Sequence, residues 1–359
     1  MTPGDRLRQK ALDLGFDAVG IAPVGRARHA GAFKAWLEAG HAGEMSWLAK
    51  GPERRCDPTQ VLPGARSLVM VGWSYYVEDP PPEIWNDPTR GRIARYAWGT
   101  DYHQVLEPKL KTLSEFIVQD SNSPDVRTRY YVDTGPLLER EWAARAGLGF
   151  IGKNTLLIHR GKGSYLFLGA VLVTAEYEYD EPAQDGGATV PAGADGSRAG
   201  TCGSCRRCQD ICPTHAFPAA YILDSRRCIS YLTIELKGSI PVDLRPKLKN
   251  WIYGCDECQS ICPWVKQYAS PRAESFLRYD PDWVAPRLQE LIRLQDSDFR
   301  DRFRGTPIRR TKRRGLLRNV ATALGNSGDP SVRPDLEAAL GDEEPLVREH
   351  AAWALEQLG

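Results

Sequence analysis

The sequence predicts an α+β chain in three parts: a mixed α/β domain over residues 1–180, a cysteine-rich module over 201–270, and a basic strip running into helical repeats over 271–359. Three observations predict this. Helical and strand-like periodicities alternate up to about residue 180. Eight of the nine cysteines fall between Cys202 and Cys262. Near the end, the segment 316–324 matches the segment 347–355 at a constant offset of 31 residues.

In the first part, residues 5–14 carry an amphipathic helical pattern that runs into a short strand at 18–22. Residues 67–75, 128–132 and 164–174 are apolar and strand-like, while 106–118 and 137–146 have helical spacing. Residues 181–200 are rich in Gly, Ala, Pro and Asp without periodicity and read as a flexible connector. In the last part, Gly328 and Gly359 fall in register with the repeat, and another short helix is expected at 334–340. Helical-hairpin repeats of the HEAT type are expected, with a period shorter than the usual one.

The cysteines carry the most specific chemistry. The run Cys202-Gly-Ser-Cys205-Arg-Arg-Cys208-Gln-Asp-Ile-Cys212-Pro213 has the spacing of bacterial two-cluster ferredoxins. A second run, Cys255-Asp-Glu-Cys258-Gln-Ser-Ile-Cys262-Pro263, lacks a leading cysteine, which Cys228 is free to supply. In such runs the cysteine before proline ligates the other cluster. The expected sets are therefore Cys202, Cys205, Cys208 and Cys262 for one [4Fe–4S] cluster, and Cys212, Cys228, Cys255 and Cys258 for the second. Paired zinc sites are the competing reading, but zinc gives no reason for the third C-x2 step or the Cys-Pro endings. The ninth cysteine, Cys56, reads as a small buried hydrophobe.

A net charge of +1, with 42% hydrophobic and 26% charged residues, is that of an ordinary soluble protein. No apolar run is long enough to span a bilayer and the N-terminus shows no export signal, so a cytoplasmic protein is expected. Charge is unevenly spread: nine basic residues lie between Arg300 and Arg318 against one acid, Asp301. Such a strip is the footprint of a phosphate-backbone reader, or else a solvated helix face.

The ordered set of motifs resembles the epoxyqueuosine reductase family of cobalamin-dependent, iron–sulfur tRNA-modification enzymes. The matching segments are Arg95-Tyr96-Ala97-Trp98-Gly99-Thr100-Asp101-Tyr102-His103, Val132-Asp133-Thr134-Gly135-Pro136, the run 145–154, Gly163-Ser164-Tyr165, both cysteine runs, the run 228–235, and the terminal repeats. The resemblance implies a nitroreductase-like cobalamin domain, related to the core of the reductive dehalogenases. It also implies deoxygenation of epoxyqueuosine to queuosine at the wobble position of tRNA, fed by an external one-electron donor, by a protein expected to be a monomer. Two other readings stand beside it: a bare electron-transfer protein or another cobalamin/iron–sulfur reductase, and an RNA-binding scaffold with structural clusters.

Asp133 is the candidate catalytic acid. It ends an apolar strand, and a carboxylic acid there can protonate the alkoxide of an opening epoxide. The competing reading is a helix cap ahead of Pro136. The run Asp101-Tyr102-His103-Gln104-Val105-Leu106 resembles the D-x-H-x-x-G cobalt-ligating signature but has Leu106 in place of glycine. His103 is therefore read as a pocket residue, consistent with the base-off cobalamin that the resemblance implies. Gly152-Lys153-Asn154 reads as a tight turn. By resemblance, Leu157 and Leu168 line the corrin, and Arg55, Arg140 and Ser230 hold its periphery. Lys237, Arg309, Arg310, Arg313 and Arg314 are the candidate tRNA contacts.

Overall fold

The strand-like run beginning at Ser67 becomes the spine of a sheet. The computed structural model describes residues 1–182, 201–272, 277 and 280–359; the expected connector at 181–200 lies, after its first two residues, outside them. The chain opens with helix α1 (Pro3–Asp13), strand β1 (Ala18–Pro23) and strand β2 (Ser67–Ser74). Helix α2 (Tyr102–Asp120), strand β3 (Thr128–Val132), helix α3 (Glu139–Arg145) and strand β4 (Leu166–Val173) follow. The strands form an antiparallel sheet in the order β1-β2-β4-β3, with Val71 paired to Val19 on one side and Gly169 on the other.

Every residue of β2 is buried because the sheet is covered on both faces. Alternation sends Leu68 and Met70 into a core with Leu137, Trp142 and Leu148. It sends Val69, Val71 and Trp73 into a second core with Leu7, Leu106 and Leu110. Thr2 and Asp5 form a capping box at the start of α1, with Pro3 in its first turn.

The cysteine module contains α4 (Arg207–Asp210), α5 (Ile229–Ile234), β5 (Trp251–Tyr253), α6 (Glu257–Ser260) and α7 (Pro263–Tyr268). Strand β5 pairs in parallel with Arg92–Ile93, which fastens the module to the first domain. Helices α8 (Lys312–Asn326), α9 (Arg333–Ala339) and α10 (Pro345–Gln357) form the repeat region. Helices α8 and α10 are the two copies of the repeat, and a Cβ on Gly325 would sit 2.7 Å from Ala354 Cα. Gly328 and Gly359 occupy the left-handed region in both copies, as glycines beyond helix ends do.

All residues from Gly315 to Gly325 are buried, because α8 is packed by α10 on one side and by α5 and β5 on another. A single core joins Ile93, Trp98 and Ile252 to Leu316, Val320 and Ala354. The basic strip is consequently not one exposed face. Arg318 is buried, with Nη2 donating to Leu232 O at 2.6 Å and Nη1 to Leu236 O and Gly238 O at 2.9 and 2.6 Å. Beside it, Asn319 Nδ2 donates to Thr233 O and Ile252 O, both at 2.8 Å.

Arg313 corrects the expectation of a tRNA contact. It is 5% exposed, paired bidentately with Asp342, and its Nε donates to Leu294 O at 2.7 Å. Among the described residues, no helix is long and apolar enough to cross a membrane.

Candidate active site and cluster cavity

Asp133 lies where β3 ends, and its backbone is the first unusual feature there. Its φ is +56°, and Thr134 N donates to Val132 O across it, closing a γ-turn in its left-handed form. A non-glycine residue held this way costs about 1–3 kcal/mol, and such strain clusters at functional sites. The helix after it begins only at Glu139, with Leu138 as an N-cap that makes no side-chain bond. Asp133 is thus not a helix cap. Its carboxylate is exposed and accepts a hydrogen bond from Tyr102 Oη at 2.7 Å. The turn is pinned from behind, since Arg55 Nη1 donates to Gly135 O at 3.2 Å. Any side chain at Gly135 would collide with Tyr131, whose ring comes within 2.4 Å of the Cβ position.

Around this acid several polar atoms are buried without a partner: Arg55 Nε, His103 Nε2, Tyr131 Oη and Glu139 Oε1. Orphaned polar atoms at one site signal a ligand that supplies the missing bonds. Donors and acceptors both occur among them, which suits the amide-rich rim of a corrin. Burial pushes Glu139 up to about 8, with Asp133 adding to the rise and Arg140 and Arg55 opposing it. Arg140 is reached by solvent, yet the protein around it lowers its pKa. Arg140 also donates to Thr155 O.

His103 Nδ1 lies 2.7 Å from Asp101 Oδ1, and this pairing raises the imidazole pKa against the opposing effect of burial. With Nδ1 engaged, Nε2 is the atom left for a ligand. Leu157 is buried, and Leu168 is half-buried beside the core of that face. Ser230 borders the second thiol set, its backbone amide hydrogen-bonding the thiol of Cys228.

The thiols fall into two groups. Cys202, Cys205, Cys208 and Cys262 line one cavity of about 150 Å³, together with Asn154, Arg207 and Trp264. The other four form a second set: burial first, then the charges of Cys228, Cys208 and Cys212, push the Cys258 thiol up, while burial and then Cys258 and Cys228 act likewise on Cys255. Among the described residues, no three His, Cys, Asp or Glu side chains converge tightly enough to hold a single ion. A quartet spread around a cavity is what a cube needs and what a zinc ion does not.

Two residues of the expected tight turn at 152–154 bind both cysteine runs. Lys153 N donates to Cys202 Sγ at 3.4 Å and its Nζ to Gly203 O and Cys205 O at 2.7 and 2.9 Å, while Asn154 Nδ2 reaches Cys258 O at 3.3 Å. Sequence reasoning missed this role. The available signal was a lysine and an asparagine placed side by side between apolar strands.

An aromatic stack joins helix α6, which carries Cys258, to the acid. Tyr165 Oη lies 2.9 Å from Ser260 Oγ, and its ring meets Tyr75 edge-on at 5.4 Å; Tyr75 packs on Phe167 at 4.3 Å, Phe167 stacks on Tyr102 at 4.4 Å and 12°, and Tyr102 holds Asp133. Arg310 faces the same region, paired to Glu235 at 2.8 Å and lying 5.7 Å from the ring centroid of Trp47. Its guanidinium pKa is raised because Glu235, with a smaller contribution from Asp133, outweighs burial. Lys237 lies nearby, its pKa lowered by burial and by Arg310, Arg318 and Arg314, with Glu235 opposing. Arg309 is exposed and Arg314 half-buried.

Fold and site together define a redox protein with a double-cluster module, an exposed acid on a strained turn and a terminal helical repeat. The comparisons are specific. The family model for epoxyqueuosine reductase QueG, DUF1730, matches residues 55–134; the 4Fe-4S double cluster binding domain matches 201–265, and HEAT repeats match 309–359. The epoxyqueuosine reductase of Escherichia coli K12 is 40% identical over 98% of this chain and 88% of its own length.

Two solved structures of epoxyqueuosine reductases each cover 99% of this chain and 90% of their own. One, bound to an epoxyqueuosine-modified tRNA-Tyr stem loop, superposes with a TM-score of 0.84 at 31% identity. The other, from Bacillus subtilis with an aspartate catalytic loop swung out of the active site, superposes with a TM-score of 0.83 at 30% identity. This chain belongs to the epoxyqueuosine reductase family.

Proposed function

We propose that this protein reduces the epoxide of epoxyqueuosine in tRNA to the alkene of queuosine. The observation that carries the proposal is the continuity from helix α6, which carries Cys258, through Tyr165, Tyr75, Phe167 and Tyr102 to a strained, solvent-facing carboxyl at Asp133. An acid and an electron supply meet at one site. Removing the epoxide oxygen as water takes two electrons and two protons, so both are required. Membership in the family, and a relative solved with the modified stem loop, support the substrate.

Asp133 protonates the oxygen as the ring opens. Tyr102 donates to Oδ2, which leaves Oδ1 to carry the proton and keeps the carboxyl turned towards the cleft. Cobalamin, when bound, supplies a low-valent cobalt able to act as nucleophile or one-electron reductant. Arg55, His103, Arg140 and Ser230 would hold the rim of a base-off cobalamin, His103 through Nε2, with Leu157 and Leu168 along its apolar side.

Two [4Fe–4S] clusters occupy the quartets with crossed ligation, and an external donor reduces them one electron at a time. Lys237, Arg309, Arg310 and Arg314 hold the tRNA backbone beside the cleft, and the protein acts as a monomer in the cytoplasm. The test is direct: reduced, cobalamin-reconstituted protein is incubated anaerobically with epoxyqueuosine-tRNA and the nucleosides are weighed. Loss of one oxygen from the modified base is expected. Unchanged nucleoside, with both clusters reduced and cobalamin bound, overturns the proposal.

A further inference from the structure

The two quartets differ in how they meet the surface. The set containing Cys258 faces the acid's domain, since Gln259 and Ser260 of helix α6 bond Ser164 and Tyr165 at 3.0 and 2.9 Å. The cavity of Cys202, Cys205, Cys208 and Cys262 opens outward instead, between Thr201, Arg207, Pro263 and Trp264. Trp264 stacks on Tyr268 with centroids 5.4 Å apart, and Tyr268 and Ile211 are each 37% exposed. The rim is cationic. Arg206, Arg207 and Lys266 are exposed, and the side chain of Arg206 is 69% exposed with Asp210 as its partner at 3.9 Å. An exposed pair this long is worth little and leaves the guanidinium available.

We propose that this rim, with Arg206, Arg207 and Lys266 around Trp264, Tyr268 and Ile211, docks an acidic one-electron carrier protein that reduces the outer cluster. The inference rests on the reading above that both quartets hold clusters. Redox encounters are small and transient, so a modest apolar centre with a charged border suits them. The cations steer an acidic partner and raise its rate of arrival. Each encounter moves one electron from the reduced carrier to the oxidised outer cluster, and the carrier leaves oxidised. Two encounters and two protons complete one epoxide, whose oxygen departs as water.

The test uses the holoprotein carrying Arg206→Glu and Lys266→Glu, with iron content and cluster absorbance verified against the parent. Stopped-flow bleaching of the clusters is recorded with reduced flavodoxin as the acidic carrier and with dithionite, at several salt concentrations. Binding of oxidised flavodoxin is followed separately by NMR line broadening. The expected result is a fall of about ten-fold or more in the flavodoxin rate at low salt, a flattened salt dependence and weaker binding, with the dithionite rate unchanged. An unchanged flavodoxin rate and salt dependence overturn the docking face. Should the double variant lose iron, Arg206→Gln is read by the same criteria, with a smaller expected effect. Failure of dithionite to bleach the unsubstituted protein would instead sink the cluster reading on which the proposal rests.

Discussion

Replacing Arg313 by methionine separates an internal strut from a nucleic-acid contact. Both guanidinium and carboxylate of the Arg313–Asp342 pair are almost fully enclosed, at 5% and 8% exposure. Removing one partner of a buried pair costs about 3–5 kcal/mol. Glu344 N still donates to Asp342 Oδ1 at 2.9 Å, which favours the lower end. The stranded Leu294 carbonyl adds about 1 kcal/mol. A total near 4 kcal/mol corresponds, for 359 residues, to a fall in Tm of roughly 5 °C.

Burial alone would raise the pKa of Asp342, but bonds from Arg313 and Glu344 hold it below the usual carboxylate range. The stability this gives is therefore present above the unfolded carboxylate pKa and is lost as pH falls through the lower folded value. The gap between parent and variant should narrow across that acid window. Pairing Arg313→Met with Asp342→Leu should recover most of the loss. Anaerobic calorimetry measures all three proteins. An unchanged Tm together with weaker, less salt-dependent tRNA binding would refute the strut and restore Arg313 to the surface strip.

Three further outcomes are expected. Asp133→Asn should retain clusters and cobalamin yet slow product formation by about 10²–10⁴-fold, measured by single-turnover nucleoside analysis, because an amide cannot give up a carboxylic proton. Glu139→Gln, studied without cobalamin, should remove a pH dependence of stability. The raised folded pKa, about 8 against an ordinary 4.5, makes the parent lose stability as pH rises between those values. Arg309→Glu with Arg314→Glu should weaken tRNA binding and lower the logarithmic salt slope by roughly 0.7 to 0.9 for each phosphate no longer neutralised, read by titration at several salt concentrations.

Spacing made the double-cluster domain readable, because a thiolate set for a cube needs short local intervals and a proline that turns the last cysteine away. The strands were readable too: the residues of β2 are apolar throughout, and their alternation between two cores needs no long-range information. Asp133 was singled out by its position at a strand end and by the resemblance; the γ-turn beneath it has no residue signature, so spacing alone favoured a helix cap. The basic strip misled because its partners are distant. Asp342 is far along the chain from Arg313, and Arg318 is satisfied by carbonyls of residues 232–238, which carry no charge in the sequence. Glu139 and Lys153 were missed for the same reason, since their surroundings are assembled only by folding.

The stitching of Arg318 and Asn319 into the cysteine module bears on how the protein is made. The segment from helix α5 to strand β5 leaves the ribosome with carbonyls at Leu232, Thr233, Leu236, Gly238 and Ile252 whose side-chain partners arrive 67 to 86 residues later. Cys228 and Cys255 flank these segments. The cysteine module therefore reaches its finished shape only once α8 has docked, and a nascent protein stalled short of α8 would present those thiols without the frame around them.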